Sequence, residues 1–113
     1  MKLTELIKPL DCTIVHKGSG FDDTTIENVT ASDLMSDVLV VDKNHLLIVT
    51  SLASDQVIRT GDIVGAHAVM VVNGKALPAT MLKLAEELDM TLLLSPLTKF
   101  QACVRIGKLM NLA

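Results

Sequence analysis

Residues 45–95 read HLLIVTSLASDQVIRTGDIVGAHAVMVVNGKALPATMLKLAEELDMTLLLS, and this stretch decides the fold class. Three of its segments are almost entirely apolar: residues 45–50, 68–72 and 91–95. Such runs are typical of strands that are buried on both faces of a parallel sheet. Longer segments with apolar residues at helical spacing separate them. The alternation of strand and helix predicts right-handed crossover connections and a parallel sheet.

Local signals mark the ends of the predicted helices. The first helix carries Val57 and Ile58 on its inner face and ends at Gly65, because glycine favours the left-handed backbone found at helix ends. The second begins at Pro78, which suits a first helical position. A last helix is predicted to begin in residues 96–98. Its predicted inward residues are Phe100, Cys103, Val104 and Gly107.

The first 44 residues give a weaker pattern. Residues 3–10 have helical spacing, residues 12–16 and 24–30 are typical of strands, and a short helix is predicted after Asp33. The inner face of this short helix is predicted to hold Leu34, Met35, Val38 and Leu39. The whole sequence predicts one α/β domain over residues 1–113, with a mainly parallel sheet of four to five strands and helices on both faces.

The composition excludes several classes of protein. The chain has 113 residues, of which 50% are hydrophobic, so it can bury a core without a disulfide or a metal. No apolar run approaches the roughly 20 residues that a membrane span needs. A net charge of −3 and only two aromatic residues argue against a nucleic-acid partner. We therefore expect a cytoplasmic protein with neither a membrane nor a nucleic-acid partner.

The residue types that usually carry catalysis are scattered along the chain. Cys12 and Cys103 form no Cys-x-x-Cys motif and are interpreted as small apolar residues. His16, His45 and His67 are likewise scattered and lack the spacing of a metal site. His45 and His67, which lie at the starts of predicted strands, are interpreted as structural. The sequence also has neither a phosphate-binding P-loop nor a nucleophile elbow. It therefore predicts no catalytic residue, no metal and no cofactor.

Three strand-to-helix loops are predicted to meet at the carboxyl-terminal edge of the sheet, where open parallel sheets bind their ligands. Their polar side chains, together with the unpaired N–H groups of helix N-termini, suit a nucleotide or another small anion. The candidate ligand-binding residues are Thr50, Ser51, Ser54, Asn73, Gly74, Lys75, Ser95 and Thr98. Ordinary helix capping stays an alternative role for them, because helix caps use the same residue types.

Residues 26–110 resemble the DRTGG domain family. The resemblance lies in residues 29–38 (VTASDLMSDV), in the strand ending at Thr50, in residues 71–74 with a helix after Pro78, and in residues 92–96 (LLLSP) with Thr98 and Phe100. Residues 73–75 (NGK) stand where the family has a Thr-Gly-Gly turn, and residues 52–53 (LA) where it has Asp-Arg. The resemblance implies a fold similar to the N-terminal domain of HPr kinase/phosphorylase, without its kinase machinery.

The resemblance also implies a kind of function. DRTGG domains accompany CBS-domain pyrophosphatases and phosphotransacetylases as dimerising or regulatory modules, and short versions resemble proteins encoded beside iron-only hydrogenase genes. We therefore expect a non-catalytic regulatory or ligand-sensing module. The alternative is a protein–protein adaptor accessory to a redox enzyme such as an iron-only hydrogenase, and a further alternative is a small transferase.

Two copies of the chain are expected to form a homodimer. The last predicted helix is apolar on most of its sides, which is more than one core-facing stripe requires. Together with Met35 and the N-terminal helix, it could supply the contact between the copies. Burial of these residues within one chain would account for the pattern equally well.

Overall fold

A sheet of five strands lies at the centre of the computed structural model, which describes residues 1–112. The strands are β1 (Thr13–His16), β2 (Asn28–Ala31), β3 (Leu46–Thr50), β4 (Ala68–Val71) and β5 (Thr91–Leu94). Their order across the sheet is β1-β5-β4-β3-β2. Strands β2 to β5 are parallel to one another, and β1 pairs antiparallel with β5. The predicted α/β fold with a mainly parallel sheet is confirmed.

Four α-helices and two 3₁₀ helices surround this sheet in the described part of the chain. The α-helices are α1 (Met35–Val38), α2 (Asp55–Val64), α3 (Ala79–Glu87) and α4 (Lys99–Leu109), and the 3₁₀ helices span Leu3–Leu6 and Phe21–Asp23. Among residues 1–112, none of the helices has both the length and the apolar content needed to cross a membrane.

The helices lie on both faces of the sheet, as predicted. Strands β2 to β5 follow one another across the sheet in chain order. Because right-handed crossovers that advance in one direction place their helices on the same face, α1, α2 and α3 share one face. Their residues Met35, Ile58 and Met81 are buried there with Ile48 and Leu92 of the sheet.

The other face of the sheet is covered by the N-terminal segment and α4. Leu3 and Leu6 of the first 3₁₀ helix are buried together with Ala102 and Ile106 of α4. A long-range hydrogen bond also joins these segments. Arg105 of α4 donates to the carbonyl of Pro9 at 2.8 Å. The N-terminal segment is thus held in place by the last helix.

The helix ends follow the sequence signals closely. The Ser54 side chain caps α2 by accepting a hydrogen bond from the N–H of Gln56, and Gly65 ends this helix at φ 71°. Thr98 caps α4 in a reciprocal arrangement with Gln101. Pro78 is the cap of α3 and so lies one residue before the helix that it was predicted to open.

Several predictions for the N-terminal third are wrong in extent. The helix predicted over residues 3–10 is a short 3₁₀ helix followed by turns, since Pro9 cannot continue a helix. The second strand is β2, which begins at Asn28, four residues later than predicted. In α1 only Met35 and Val38 are buried, while 59% of Leu34 is exposed. A helix of a single turn can bury only one narrow stripe.

The inward placement predicted for Phe100 is also wrong. Its side chain is 76% exposed, whereas Ala102 and Ile106 of the same helix are buried. Phe100 lies two residues, or about 200° of rotation, away from Ala102, so it projects on the opposite side of α4. Cys103 and Val104 are half-buried at the border between the two sides.

Candidate functional site

The carboxyl-terminal edge of the sheet holds a carboxylate within a set of converging donors. Asp33, which follows β2, accepts hydrogen bonds from the Thr50 hydroxyl at 3.0 Å, the Ser51 N–H at 2.7 Å and the Ser51 hydroxyl at 2.6 Å. Lys99, the first residue of α4, donates to the same carboxylate. We call the donors of Thr50, Ser51 and Lys99 the anion cradle. Asp33, which the sequence marked only as the residue before a short predicted helix, in fact joins three segments of the chain.

The anion cradle stabilises the charged form of Asp33. Partial burial by itself raises the pKa of this carboxyl group, but the hydrogen bonds from Lys99, Ser51 and Thr50 outweigh it and hold the pKa well below its usual range. The side chains of Asp33 and Lys99 are 42% and 37% exposed, so solvent reaches this part of the cradle, whereas Thr50 is fully buried. Donors that favour one carboxylate this strongly are suited to anions in general.

The remaining candidate residues on this edge have structural contacts of their own. Ser54 and Thr98 cap helices, as the alternative interpretation allowed. Ser95 is buried, and its hydroxyl donates to the carbonyl of Leu10 at 2.6 Å. The N–H groups of Asn73 and Gly74 donate to the carbonyls of Leu97 and Ser95.

The turn after β4 brings its exposed residues to the same edge. Asn73 and Gly74 both have left-handed φ angles, of 67° and 59°, which asparagine and glycine tolerate best. Lys75 follows with an exposed side chain. Seven of the eight candidate residues thus lie on the predicted loops, while Thr50 is the buried last residue of β3. Ligand binding by these residues stays a prediction.

A cleft of about 210 Å³ lies at the opposite, amino-terminal edge of the sheet. We call it the amino-edge cleft. Its walls are formed by the following residues: Gly18, Gly20, Phe21, Thr24, Asp62, Gly65, Ala66, His67, Leu88, Asp89, Met90 and Thr91. The lining includes two carboxylates and one imidazole but no lysine or arginine. This edge was not predicted to hold a site.

Two histidines meet beside this cleft, so the interpretation of the histidines as scattered is wrong for this pair. His45 Nδ1 and His67 Nε2 lie 3.2 Å apart. Burial, followed by the proximity of His45, lowers the pKa of His67. A sequence signal for the pair existed: each histidine directly precedes a buried strand, and the two strands, β3 and β4, are parallel neighbours.

The third histidine occupies a separate part of this edge. His16 Nε2 lies 3.7 Å from a carboxylate oxygen of Asp89. Asp89 also accepts hydrogen bonds from the N–H and the hydroxyl of Ser19, and these bonds are the main reason that its pKa is lowered. Gly18 completes the arrangement, because its N–H donates to the Thr91 hydroxyl at 3.0 Å. These contacts fix one wall of the amino-edge cleft.

The two cysteines are free thiols with little nucleophilic character. Burial, with a smaller contribution from the charge of Asp11, raises the pKa of Cys12 to about 12. Burial also raises the pKa of Cys103, although Lys99 opposes the shift. Both thiols are half-buried against the core between the N-terminal segment and α4. In residues 1–112, no group of three or more His, Cys, Asp or Glu side chains is placed to hold a metal ion.

No protein-family model and no curated protein matches this sequence. The fold is similar to a solved structure of the CBS and DRTGG domains of the regulatory region of Clostridium perfringens pyrophosphatase, complexed with the activator diadenosine tetraphosphate. The TM-score is 0.75 at 12% sequence identity. The match covers 93% of this chain but only 45% of that chain. The similarity supports a DRTGG-like fold, which the sequence resemblance implied.

Proposed function

We propose that this chain is a non-catalytic regulatory module that senses a small anionic ligand, such as a nucleotide, at the carboxyl-terminal edge of its sheet. The observation that carries the proposal is the anion cradle, in which donors from two segments already hold one carboxylate. The similar regulatory region of the pyrophosphatase was solved with a nucleotide activator, which supports the same class of ligand.

Asp33 would act as an internal competitor of the ligand. A phosphate group and a carboxylate need the same donors, so the two would exclude each other from Thr50, Ser51 and Lys99. Binding would then release Asp33 and loosen the adjoining segment, residues 34–40, in which Leu34 and Val40 are already exposed. A ligand that favours the released state shifts the population towards it, and this shift would be the regulatory signal.

The proposal can be tested by isothermal titration calorimetry at pH 7.5, with diadenosine tetraphosphate and inorganic phosphate as probes. Asp33→Ala removes the competitor and should tighten binding about tenfold or more, which corresponds to roughly 1.4 kcal/mol. Lys99→Ala should weaken binding, whereas Lys83→Ala, on the exposed side of α3, should leave it unchanged. Equal affinities in all four proteins would refute the proposal. Circular dichroism would establish that each variant is folded.

The second candidate function, an adaptor for a redox enzyme such as an iron-only hydrogenase, is favoured by two exposed apolar side chains. Leu34 and Phe100 are each adjacent in sequence to one member of the Asp33–Lys99 ion pair, and they are 59% and 76% exposed. If the chain is such an adaptor, Phe100→Ser should lower its affinity for a purified iron-only hydrogenase. Ile63→Ser is the matched control, because Ile63 is similarly exposed on α2, and it should leave the affinity unchanged. Biolayer interferometry would measure both.

The homodimer remains part of the proposal. The same exposed residues, Leu34 and Phe100, would supply an apolar contact between two copies, while Met35 is buried within one chain and does not contribute. Sedimentation velocity should give the mass of two chains for the wild type and of one chain for Phe100→Ser. A wild-type protein that sediments as a monomer at all concentrations would remove the dimer from the proposal.

A further inference from the structure

The two histidines beside the amino-edge cleft have the spacing of a metal chelate. Zinc–nitrogen bonds of about 2.0–2.1 Å at a tetrahedral angle place two imidazole nitrogens about 3.3 Å apart. His45 Nδ1 and His67 Nε2 are 3.2 Å apart, and their ring planes are tilted by 37°. An ion could therefore enter between the two nitrogens with a change of only a few tenths of an ångström in their separation.

The charge of the cleft gives an independent argument for a cation. Asp62 and Asp89 line the same cleft as His67, and neither lysine nor arginine is part of that lining. A concave surface whose charged side chains are carboxylates concentrates cations from solution. Imidazole nitrogen is a preferred ligand of zinc, nickel and copper ions, whereas magnesium and calcium prefer oxygen.

We propose that His45 and His67 form a binding site for a divalent transition-metal ion at the mouth of the amino-edge cleft. The described residues 1–112 provide no third side chain for a three-ligand group. The remaining coordination positions are therefore filled by water or by the same histidine pair of a second copy. This inference concerns the opposite edge of the sheet from the anion cradle and does not depend on the proposed function.

Binding of an ion by the two histidines needs no other reactant, because a proton only moves from one nitrogen to the other within one ring. In the absence of an ion, the N–H of one neutral ring donates to the bare nitrogen of the other. When the ion binds, the donating ring moves its proton to its other nitrogen, so both rings stay neutral and both facing nitrogens present lone pairs. Because copper(II) lies at the top of the usual affinity order for divalent ions, it should bind more tightly than zinc.

The test is a titration of the full chain with zinc chloride and copper(II) chloride at pH 7.5, followed by calorimetry. His45→Ala and His67→Ala should each weaken binding about tenfold or more, the loss expected when one of two ligands is removed. His16→Ala is the matched control, because His16 lies at the same edge but contacts Asp89 instead of the pair. Circular dichroism of the three variants would separate loss of binding from loss of folding.

Copper(II) supplies a second readout that does not depend on affinity. Electron paramagnetic resonance of the wild type should show coupling to two imidazole nitrogens if water completes the site and to four if a second copy does. In His67→Ala the number of coupled nitrogens should be halved in either case. One ion per chain would indicate completion by water, and one ion per two chains with doubled mass would indicate completion by a second copy; both results support the site. Affinities that fall equally in His16→Ala and His67→Ala, or that stay constant in all variants, would overturn it.

Discussion

Replacement of Asp33 by alanine is expected to lower the stability of the fold by about 1–2 kcal/mol. The substitution removes three hydrogen bonds, from Thr50 and Ser51, and one ion pair, with Lys99. Each hydrogen bond is worth about 0.5–1.5 kcal/mol net, and an exposed ion pair about 0–1 kcal/mol. The sum is then reduced by about half, because the carboxylate is 42% exposed and water replaces part of each interaction.

Thermal unfolding followed by circular dichroism would measure the effect. For a chain of this size, a loss of 1–2 kcal/mol lowers the Tm by roughly 4–10 °C. Asp42→Ala is the matched control, since Asp42 is an exposed carboxylate in the loop before β3, and it should change the Tm by about 2 °C or less, the shift of a typical surface substitution.

The Tm difference between the wild type and Asp33→Ala should depend on pH, because Asp33 stabilises the fold only as a charged carboxylate. The folded-state pKa of Asp33 is lowered, so the unfolded chain binds the proton more readily. The stabilisation is therefore complete well above the unfolded pKa of about 3.9 and is lost as the pH falls below that value. The role assigned to the anion cradle would be refuted if Asp33→Ala lowered the Tm no more than Asp42→Ala does. It would also be refuted if the Tm difference between the wild type and Asp33→Ala were unchanged at pH 2.

Three further predictions concern the amino-edge cleft and the thiols. A Cβ on Gly18 would lie 2.8 Å from the Thr91 hydroxyl, so Gly18→Ala should lower the free energy of unfolding in urea by about 1–3 kcal/mol. A Cβ on Gly20 would have no neighbour nearer than 3.9 Å, so Gly20→Ala should lower it by less than about 0.5 kcal/mol. Because the pKa of Cys12 is raised to about 12, iodoacetamide at pH 8 should modify it far more slowly in the folded than in the unfolded chain, as read by mass spectrometry. Because the pKa of His67 is lowered in the folded chain, its neutral form stabilises the fold. This stabilisation should be lost as the pH falls below about 6.5, the pKa of an unperturbed histidine. In His67→Gln the fold should not show this pH-dependent loss of stability.

The sequence was most informative where one physical requirement dominates. Strands β3, β4 and β5 must be apolar along their length because helices or the N-terminal segment cover both faces, and this leaves an unmistakable run of residues. Gly65 marked the end of α2 because few other residues tolerate its backbone conformation.

Prediction was poorer where the outcome depends on distant parts of the chain. Leu34 and Phe100 have helical spacing with buried residues, but the side of each helix that meets the sheet is set by packing that the spacing does not encode. Asp33 was recognised only as a residue near a helix start, because its partner Lys99 is far away in sequence. The meeting of His45 and His67 could have been found from their equivalent positions before adjacent parallel strands.

The attachment of the N-terminal segment to α4 has a consequence for the order in which the protein is made. Ser95 and Leu10 are joined across 85 positions, and Arg105 and Pro9 across 96. During synthesis, Leu3, Leu6 and Leu10 therefore emerge long before the helix that covers them. Their apolar surface stays open until residues 99–109 have left the ribosome. This side of the molecule is therefore completed last, although residues 3–10 are synthesised before the strands of the sheet.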